Sequence, residues 1–337
     1  MTTPELRTAT AVACANIALI KYWGKAPHGE NLPAVPSLSL TLDGLETTTH
    51  VSFDASLETD EFVLDGRAAA GRPLERVVAL LDRVRALSGV AQRARVESVN
   101  AFVTASGLAS SASGFAALSL AATRAAGLSL SAAELSALAR RSSASAARSV
   151  FGGYVALGAE REAAEPVLKG AEFPLRMLVV VTTRAPKPVS STDAMRLTAE
   201  TSPFYPPWVA HAPDLFERAR RALETRDFDA LGVAMEQSTW MMHASMLAAR
   251  PSLRYFTDTT LRVLDRLHEL RARAPAYFTM DAGPHVKVLT LPEHAEALAE
   301  ELGAVPGVAN VSVCAPGPGV ALAEPARRTA GAAAKDG

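Results

Sequence analysis

At residues 96–127 the apolar pattern of the chain changes period, and that change restricts the fold more than any other feature. Residues 96–103 have the composition of a β-strand. "TASGLASSASGFAAL" then leads through a Ser/Gly turn into an Ala/Leu-rich helix that Gly127 ends. Gly107 opens backbone conformations closed to other residues, and the small side chains from Ala109 to Ser113 let backbone N–H groups approach a ligand closely. The N-terminus of such a helix carries about half a positive charge, so the turn suits a phosphate. It is not a Walker A loop, since no GK[ST] ends it. A serine-capped helix start without any ligand has the same composition, so this stretch alone leaves both readings open.

The rest of the chain has a mixed organisation. Residues 8–20 are apolar and β-compatible, and "SLSLTLDGLETTTHVSF" alternates on both sides of Asp43-Gly44, which predicts a hairpin there. "EFVLDG" predicts a short strand, residues 74–87 a helix, and residues 151–157 another strand. In "SLSAAELSALARRSS" Ser131 is placed to cap a helix and Glu134 to complete a capping box. "LRMLVVVTTR" reads as a buried strand, and the prolines of "APKP" after it predict a boundary between units 1–185 and 186–325, with a loose tail at 326–337. Helices are expected at 192–201, 206–225, 231–248, 252–272 and 293–302, with strands in "AYFTMDAG", "HVKVLTL", "VANVSV" and "GVALAE". Strands come in hairpins and blocks rather than in strict βαβ alternation, so the expected class is α+β.

Bulk properties narrow the function. With 337 residues, 49% hydrophobic and 20% charged, the chain can bury a sizeable core and is not disordered. Its 34 basic and 35 acidic residues lack the basic excess that nucleic acid or a membrane surface selects. Two cysteines without a CxxC argue against a disulfide scaffold or zinc cluster and fit a reducing cytosol. No signal peptide is expected, and no apolar stretch reaches the roughly 18 residues of a membrane helix. His243 and His285 lack HxxxH or HExxH spacing and read as core residues, and His28 sits in a polar turn. The Met-rich "MEQSTWMMHASMLA" reads as a helix packed on a cleft wall.

Three stretches carry charge where an apolar frame has no need of it. "ANIALIKYWGK" ends a strand-like run with Lys21 and Lys25. A strand end delivers both cations into one pocket, although snorkelling lysines beside packed aromatics give the same pattern. Arg148, just before "FGGY", offers a guanidinium fork that grips a carboxylate through two parallel bonds, with Ser143 and Ser145 as added donors. Its neighbours Arg140 and Arg141 read as charges completing a helix dipole. Asp281 in "TMDAGP" follows an apolar strand and precedes a Gly283-Pro284 turn that presents its carboxylate as a candidate base; an Asx turn would use the same residue.

"GLASSAS" between strand and Ala-rich helix resembles the phosphate loop of the GHMP kinase superfamily. "NIALIKYWGK", "SSASAARSVFGGY", "KPVSSTDAM" and "YFTMDAGPHVKVL", in this order, resemble one of its families, the diphosphomevalonate decarboxylases. The resemblance spans roughly residues 11–323 and departs from the usual pattern at Val103, where proline is commoner, and at Ala147, where Ser or Cys is. It implies a GHMP kinase fold with a ribosomal S5 domain 2-like N-terminal half and a ferredoxin-like C-terminal half. It implies ATP- and Mg2+-dependent decarboxylation of (R)-5-diphosphomevalonate to isopentenyl diphosphate by 3-phosphorylation and elimination. That reaction serves isoprenoid biosynthesis, in a cytoplasmic homodimer. The implied catalytic residues are Asp281 as base, Lys21 beside the transferring phosphate and Arg148 on the substrate carboxylate. Implied substrate contacts are Tyr22, Trp23, Gly24, Lys25, Arg76, Ser143, Ala144, Ser145, Ala146, Ala147, Ser191, Thr192 and Met195. Around ATP the implied residues are Gly107, Leu108, Ala109, Ser110, Ser111, Ala112 and Ser113, with Ser111 as a candidate magnesium ligand. A 5-phosphomevalonate decarboxylase, a mevalonate 3-kinase-like enzyme and a non-catalytic binder are the alternatives.

Overall fold

The computed structural model describes residues 7–102, 110–183, 185 and 189–323. Among them the strands form two sheets. The first is built on β1 (Arg7–Ile20) and β2 (Ser37–Asp54), antiparallel over nearly their whole length. On one side β5 (Arg93–Asn100) pairs with the second half of β2, and β3 (Glu61–Leu64) runs parallel to β5 with β4 (Arg67–Ala68) outside it. The first half of β2 pairs instead with β6 (Tyr154–Leu157), which carries β7 (Glu165–Leu168). The second sheet is antiparallel, in the order β11 (Asn310–Cys314), β8 (Arg176–Val181), β10 (Val286–Thr290), β9 (Ala276–Met280).

Helices α1 (Arg72–Ser88), α2 (Ser110–Ala125), α3 (Ala132–Ser142) and α4 (Ala144–Ser149) cover one face of the first sheet, where Ala11, Val51, Phe53 and Val96 meet Val77, Phe115 and Leu138. A second core joins that sheet's other face to β8 and to α6 (Tyr205–Thr225) and α7 (Phe228–Leu247), through Ile17, Leu40, Met177, Phe216 and Met235. Helices α8 (Asp258–Leu270) and α9 (Ala295–Gly303) close the far face of the second sheet. The first sheet with α1–α4 makes one unit and the second sheet with α6–α9 the other, and α5 (Ser191–Thr201) packs Ala194 and Met195 against Trp208 of α6 and Met242 of α7. β1 is therefore sandwiched, and every residue from Ala13 to Ile20 is buried, which explains a run that is apolar on both faces.

The hairpin expected at Asp43-Gly44 is not formed: β2 runs straight through it. Both flanks pair with β1, Thr41 opposite Asn16 and Glu46 opposite Cys14, so the turn residues are absorbed as a bulge with Gly44 at φ 79°. The local break is real, but each flank finds a different second partner, β6 before it and β5 after it. The helix expected from residue 252 begins only at Asp258, capped by Thr257, because Leu253 N donates to Met246 O and closes α7 instead. Ser131 and Glu134 form the expected capping box. By pairing, β8 belongs with the strands that follow residue 275, while β12 (Ala321–Ala323) returns to β1.

That return is tight. Gly317 N donates to Thr41 O (2.8 Å), Gly153 N to Gly317 O (3.0 Å) and Val320 N to Val150 O (3.2 Å). A Cβ on Gly152 would lie 2.7 Å from Gly319 N, and one on Gly319 2.7 Å from Val150 O. Two backbones thus cross where only glycine fits. Gly152→Ala and Gly319→Ala are each expected to cost about 1–3 kcal/mol through overpacking. Gly114→Ala, with open space around it inside α2, is expected not to destabilise. Denaturant midpoints of the three variants check this.

Candidate active site

A cleft of about 790 Å³ opens between the two units. β1 delivers Lys21 to its floor, because the strand ends at Ile20 and Ser238 of α7 accepts the Lys21 backbone N–H at 2.9 Å. From the other unit, β9 ends at Met280 and Asp281 follows. Gly283 N donates to Asp281 O at 2.7 Å, closing the sharp turn that aims the carboxylate into the cleft. Lys21 Nζ lies 2.7 Å from Asp281 Oδ1 and also donates to Ala18 O at 2.9 Å. Lys287 Nζ lies 2.9 Å from Asp281 Oδ2. Both lysines are fully buried, while the Asp281 side chain keeps 30% of its surface open to the cleft.

These charges set one another's protonation. Burial lowers the Lys21 ammonium to about 8; Asp281 pulls it back up and Lys287 pushes it further down. Burial alone would raise the Asp281 carboxyl, but the two lysines overcome it and hold the acid well below the usual carboxylate range. Arg148, on α4, is buried, and desolvation brings its guanidinium to about 10. Its Nη1 donates to Ser37 Oγ at 2.7 Å, and its Nε has no partner among the described residues. An aimed guanidinium without a carboxylate partner marks a place for an anion.

Farther along, Lys25, Arg72, Arg76, Arg83 and Arg141 line the same cleft. Arg72 pairs with Asp193 and Arg83 with Glu30. Lys25, Arg76 and Arg141 have no ion pair among the described residues. Burial first, then the neighbouring arginines, lowers the Lys25 ammonium. The cleft is also lined by Phe62, Leu64, Ser98, Asn100 and the start of α2 at Ser110 and Ser111, and Arg76 lies 4.4 Å over the ring of Phe115 in α2.

A family model for the diphosphomevalonate decarboxylase-like N-terminal domain matches residues 13–167, and one for the mevalonate 5-diphosphate decarboxylase C-terminal domain matches residues 177–315. The chain belongs to the diphosphomevalonate decarboxylase family. It is 34% identical to diphosphomevalonate decarboxylase of Aspergillus fumigatus, over 89% of this chain and 80% of that one. Against the enzyme of Rattus norvegicus it is 32% identical, over 91% and 82%. Mevalonate diphosphate decarboxylase from Staphylococcus aureus superposes with a TM-score of 0.90 at 36% identity, covering 95% of this chain and 99% of that one. A structure of MDDEF in complex with MVAPP, AMPPCP and magnesium superposes at 0.88 with 40% identity, covering 95% and 100%. The fold is the GHMP kinase fold.

Of the residues expected from the family motifs, Lys21, Tyr22, Trp23, Lys25, Arg76, Ser110, Ser111, Ser143, Ala144, Ser145, Arg148, Ser191, Thr192, Met195 and Asp281 line the cleft. Gly24 does not: it turns at φ 110° beneath Tyr205, where a Cβ would collide with the tyrosine ring. Ala146 and Ala147 have no exposed surface and pack into the cores, and Ala112 is buried likewise. Ser113 is buried too, its Oγ 2.7 Å from Thr47 Oγ1. Gly107, Leu108 and Ala109 lie outside the described residues. The cap of α5 is Ser190, whose Oγ accepts from Asp193 N at 3.2 Å, rather than Ser191 or Thr192. Arg140 is a structural ion pair with Glu162, and His243 and His285 are core residues, whereas Arg141 reaches the cleft.

Sequence reading missed Lys287, Ser37 and the cation set of Arg72, Arg83 and Arg141. A signal existed for Lys287: a lone cation in "HVKVL", a strand buried at every position. A depressed carboxyl contributes stability that is present above its ordinary value near 3.8 and lost as pH falls below it. Asp281→Asn strands two buried ammonium groups, so a loss of about 3 kcal/mol is expected at pH 7. Denaturant titrations should find that gap constant down to about pH 4 and closing below it, as the wild type loses the same interaction.

Proposed function

We propose that this chain binds ATP and (R)-5-diphosphomevalonate in the cleft and converts them to isopentenyl diphosphate, ADP, phosphate and CO2. The observation that carries this reading is the convergence of Asp281, Lys21 and Arg148, remote in sequence, on one cleft with the start of α2.

The chemistry requires it. A 3-hydroxy acid loses CO2 only if C3 can take up electrons, and hydroxide leaves poorly. In the first step the 3-hydroxyl oxygen bonds to the γ-phosphorus of ATP, the bond to the β-phosphate oxygen breaks and ADP departs. In the second, the C3–O bond breaks with its electrons going to phosphate. The C1–C2 bonding pair becomes the C2–C3 double bond as CO2 leaves. Asp281 orients the hydroxyl and accepts its proton. Phosphoryl transfer runs through a loose transition state in which the proton departs late, so a carboxylate weakened by two lysines suffices. Lys21 meets the transferring phosphoryl group. Arg148 holds the substrate carboxylate, and no competing protein carboxylate pairs with it among the described residues.

The residues present fit a magnesium nucleotide. Phe62 and Leu64 offer apolar walls for a base, and Ser110 and Ser111 stand at a helix N-terminus of 16 residues suited to phosphate. Magnesium keeps most ligands from water and phosphate, so a single hydroxyl such as that of Ser111 completes a protein share. In the same cleft, Lys25, Arg76 and Arg141 offer three cations without carboxylate partners among the described residues. That excess supports a diphosphate over a monophosphate tail. The second copy of a homodimer would find Val233, Trp240 and Leu247 exposed at seven-residue spacing on α7. Both cysteines are unpaired thiols, which supports a cytosolic setting.

Incubation with ATP, magnesium and mevalonate carrying one or two phosphates, with CO2 and ADP measured for each, tests the proposal. CO2 and ADP in equal amounts from the diphosphate are expected. Preference for the monophosphate would overturn the substrate, and ADP without CO2 would mean a kinase. Asp281→Asn is expected to keep nucleotide affinity but lose about 10²–10⁴ in turnover. Arg148→Lys is expected to lose about 10²-fold in kcat/KM for lack of the bidentate grip.

A further inference from the structure

We infer that Lys287 is a positioning residue of this reaction: by holding Oδ2 of Asp281 it fixes which carboxylate oxygen faces Lys21 and the substrate hydroxyl. The inference rests on the reaction proposed above and adds a residue that does not line the cleft.

Stability does not account for Lys287. It is fully buried in β10, between Val286 and Val288, both without exposed surface. A buried charge in such a strand is at best neutral against an apolar side chain of similar size. Its location in the hairpin gives it a different use. Lys287 pairs with Thr279 across β9, so Asp281, two residues on, extends from the same face as its diagonal neighbour. Nζ then reaches Oδ2 at 2.9 Å while Lys21 Nζ, arriving from the other unit, takes Oδ1 at 2.7 Å. A carboxylate gripped at both oxygens cannot turn about its last torsion. Held by one lysine alone it could rotate and present either oxygen.

The same arrangement makes the role measurable. Lys21 is faced by Asp281 after β9, by Lys287 on β10, by Arg148 on α4 and by His243 on α7, with Tyr22 next to it in the chain. Burial lowers the His243 ring to about 3, so it adds no charge at working pH. Burial likewise raises the Tyr22 hydroxyl, which stays neutral. Lys287 and Arg148 both disfavour the Lys21 proton, after burial itself, and Asp281 favours it. Neutralising Lys287 therefore raises the pH at which Lys21 loses its charge.

Steady-state turnover of wild type, Lys287→Met and Lys287→Gln is to be followed across the alkaline range with ATP, magnesium and mevalonate diphosphate. Wild-type kcat/KM is expected to fall as pH rises past about 8, where Lys21 of the free enzyme deprotonates. Lys287→Met is expected to lower kcat on the order of a hundredfold with both KM values little changed, and to move that limb upward. Lys287→Gln, whose neutral amide can donate to the carboxylate, is expected to recover part of kcat with the limb still displaced. It also serves if the Met variant fails to fold. Wild-type kcat per folded site with the limb unmoved, whatever the melting temperature, would overturn the inference. Absence of CO2 from the wild type would sink the reaction instead. The clamp is then read by the titration of 13C-labelled Lys21, expected to shift upward in Lys287→Gln, and an unshifted titration would refute it.

Discussion

Two ammonium groups and one carboxylate share a space between β1, β9 and β10 from which water is largely excluded. With Arg148 beside them the formal charge there is positive by two, because three cations face one anion. Such an excess in a low-dielectric setting is unfavourable until another anion enters. The depressed lysine and arginine express that strain in the free protein. Binding of the proposed substrate, with its carboxylate and the transferring phosphoryl group, would relieve it. The burial of β1 on both faces and the tight turn after β9 both follow from delivering these atoms to one point.

The distribution of charge along the cleft extends this logic. The whole chain is nearly neutral at −1, yet Lys25, Arg72, Arg76, Arg83 and Arg141 line a single cleft. Low-dielectric walls lined by one sign of charge focus the field and draw an anion inward. The same cleft is also lined by the start of α2 and by the apolar side chains of Phe62 and Leu64. Arg76 connects the two sets, its guanidinium 4.4 Å over the ring of Phe115 in α2.

Local rules made much of this legible. The capping box at Ser131 and Glu134 and the turn that aims Asp281 depend on neighbours a few residues away, so the chain states them directly. Partner choice is not local. Asp43-Gly44 breaks the strand pattern as expected, but nothing near it tells that both flanks will pair with β1. Motif windows mislead in another way. "SASAARS" and "ASSAS" are contiguous in sequence, yet a helix turns successive residues about 100° apart, so Ala146, Ala147, Ala112 and Ser113 face the cores while their neighbours face the cleft. Lys287 stands out in its strand as a lone cation, but its partner does not. Its meaning depends on register with β9, and a strand read alone does not carry its register.

Arg148 belongs to the first unit and Asp281 to the second, and their separation is set by contacts both inside and outside the cleft. Within it, Lys21 at the end of β1 pairs with Asp281 across the two units at 2.7 Å. After β11, in the second sheet, the chain crosses back to β12 on β1. On the way it bonds to Thr41 and Gly153, and to Val150, the residue that ends the helix of Arg148. Glycine at 152, 317 and 319 lets these backbones come within contact distance, closer than any side chain allows. A crossing made of main-chain bonds has little freedom to slide, since shifting it breaks several bonds at once. The position of the guanidinium relative to the carboxylate is therefore held twice, by this strap outside the cleft and by the Lys21–Asp281 pair within it.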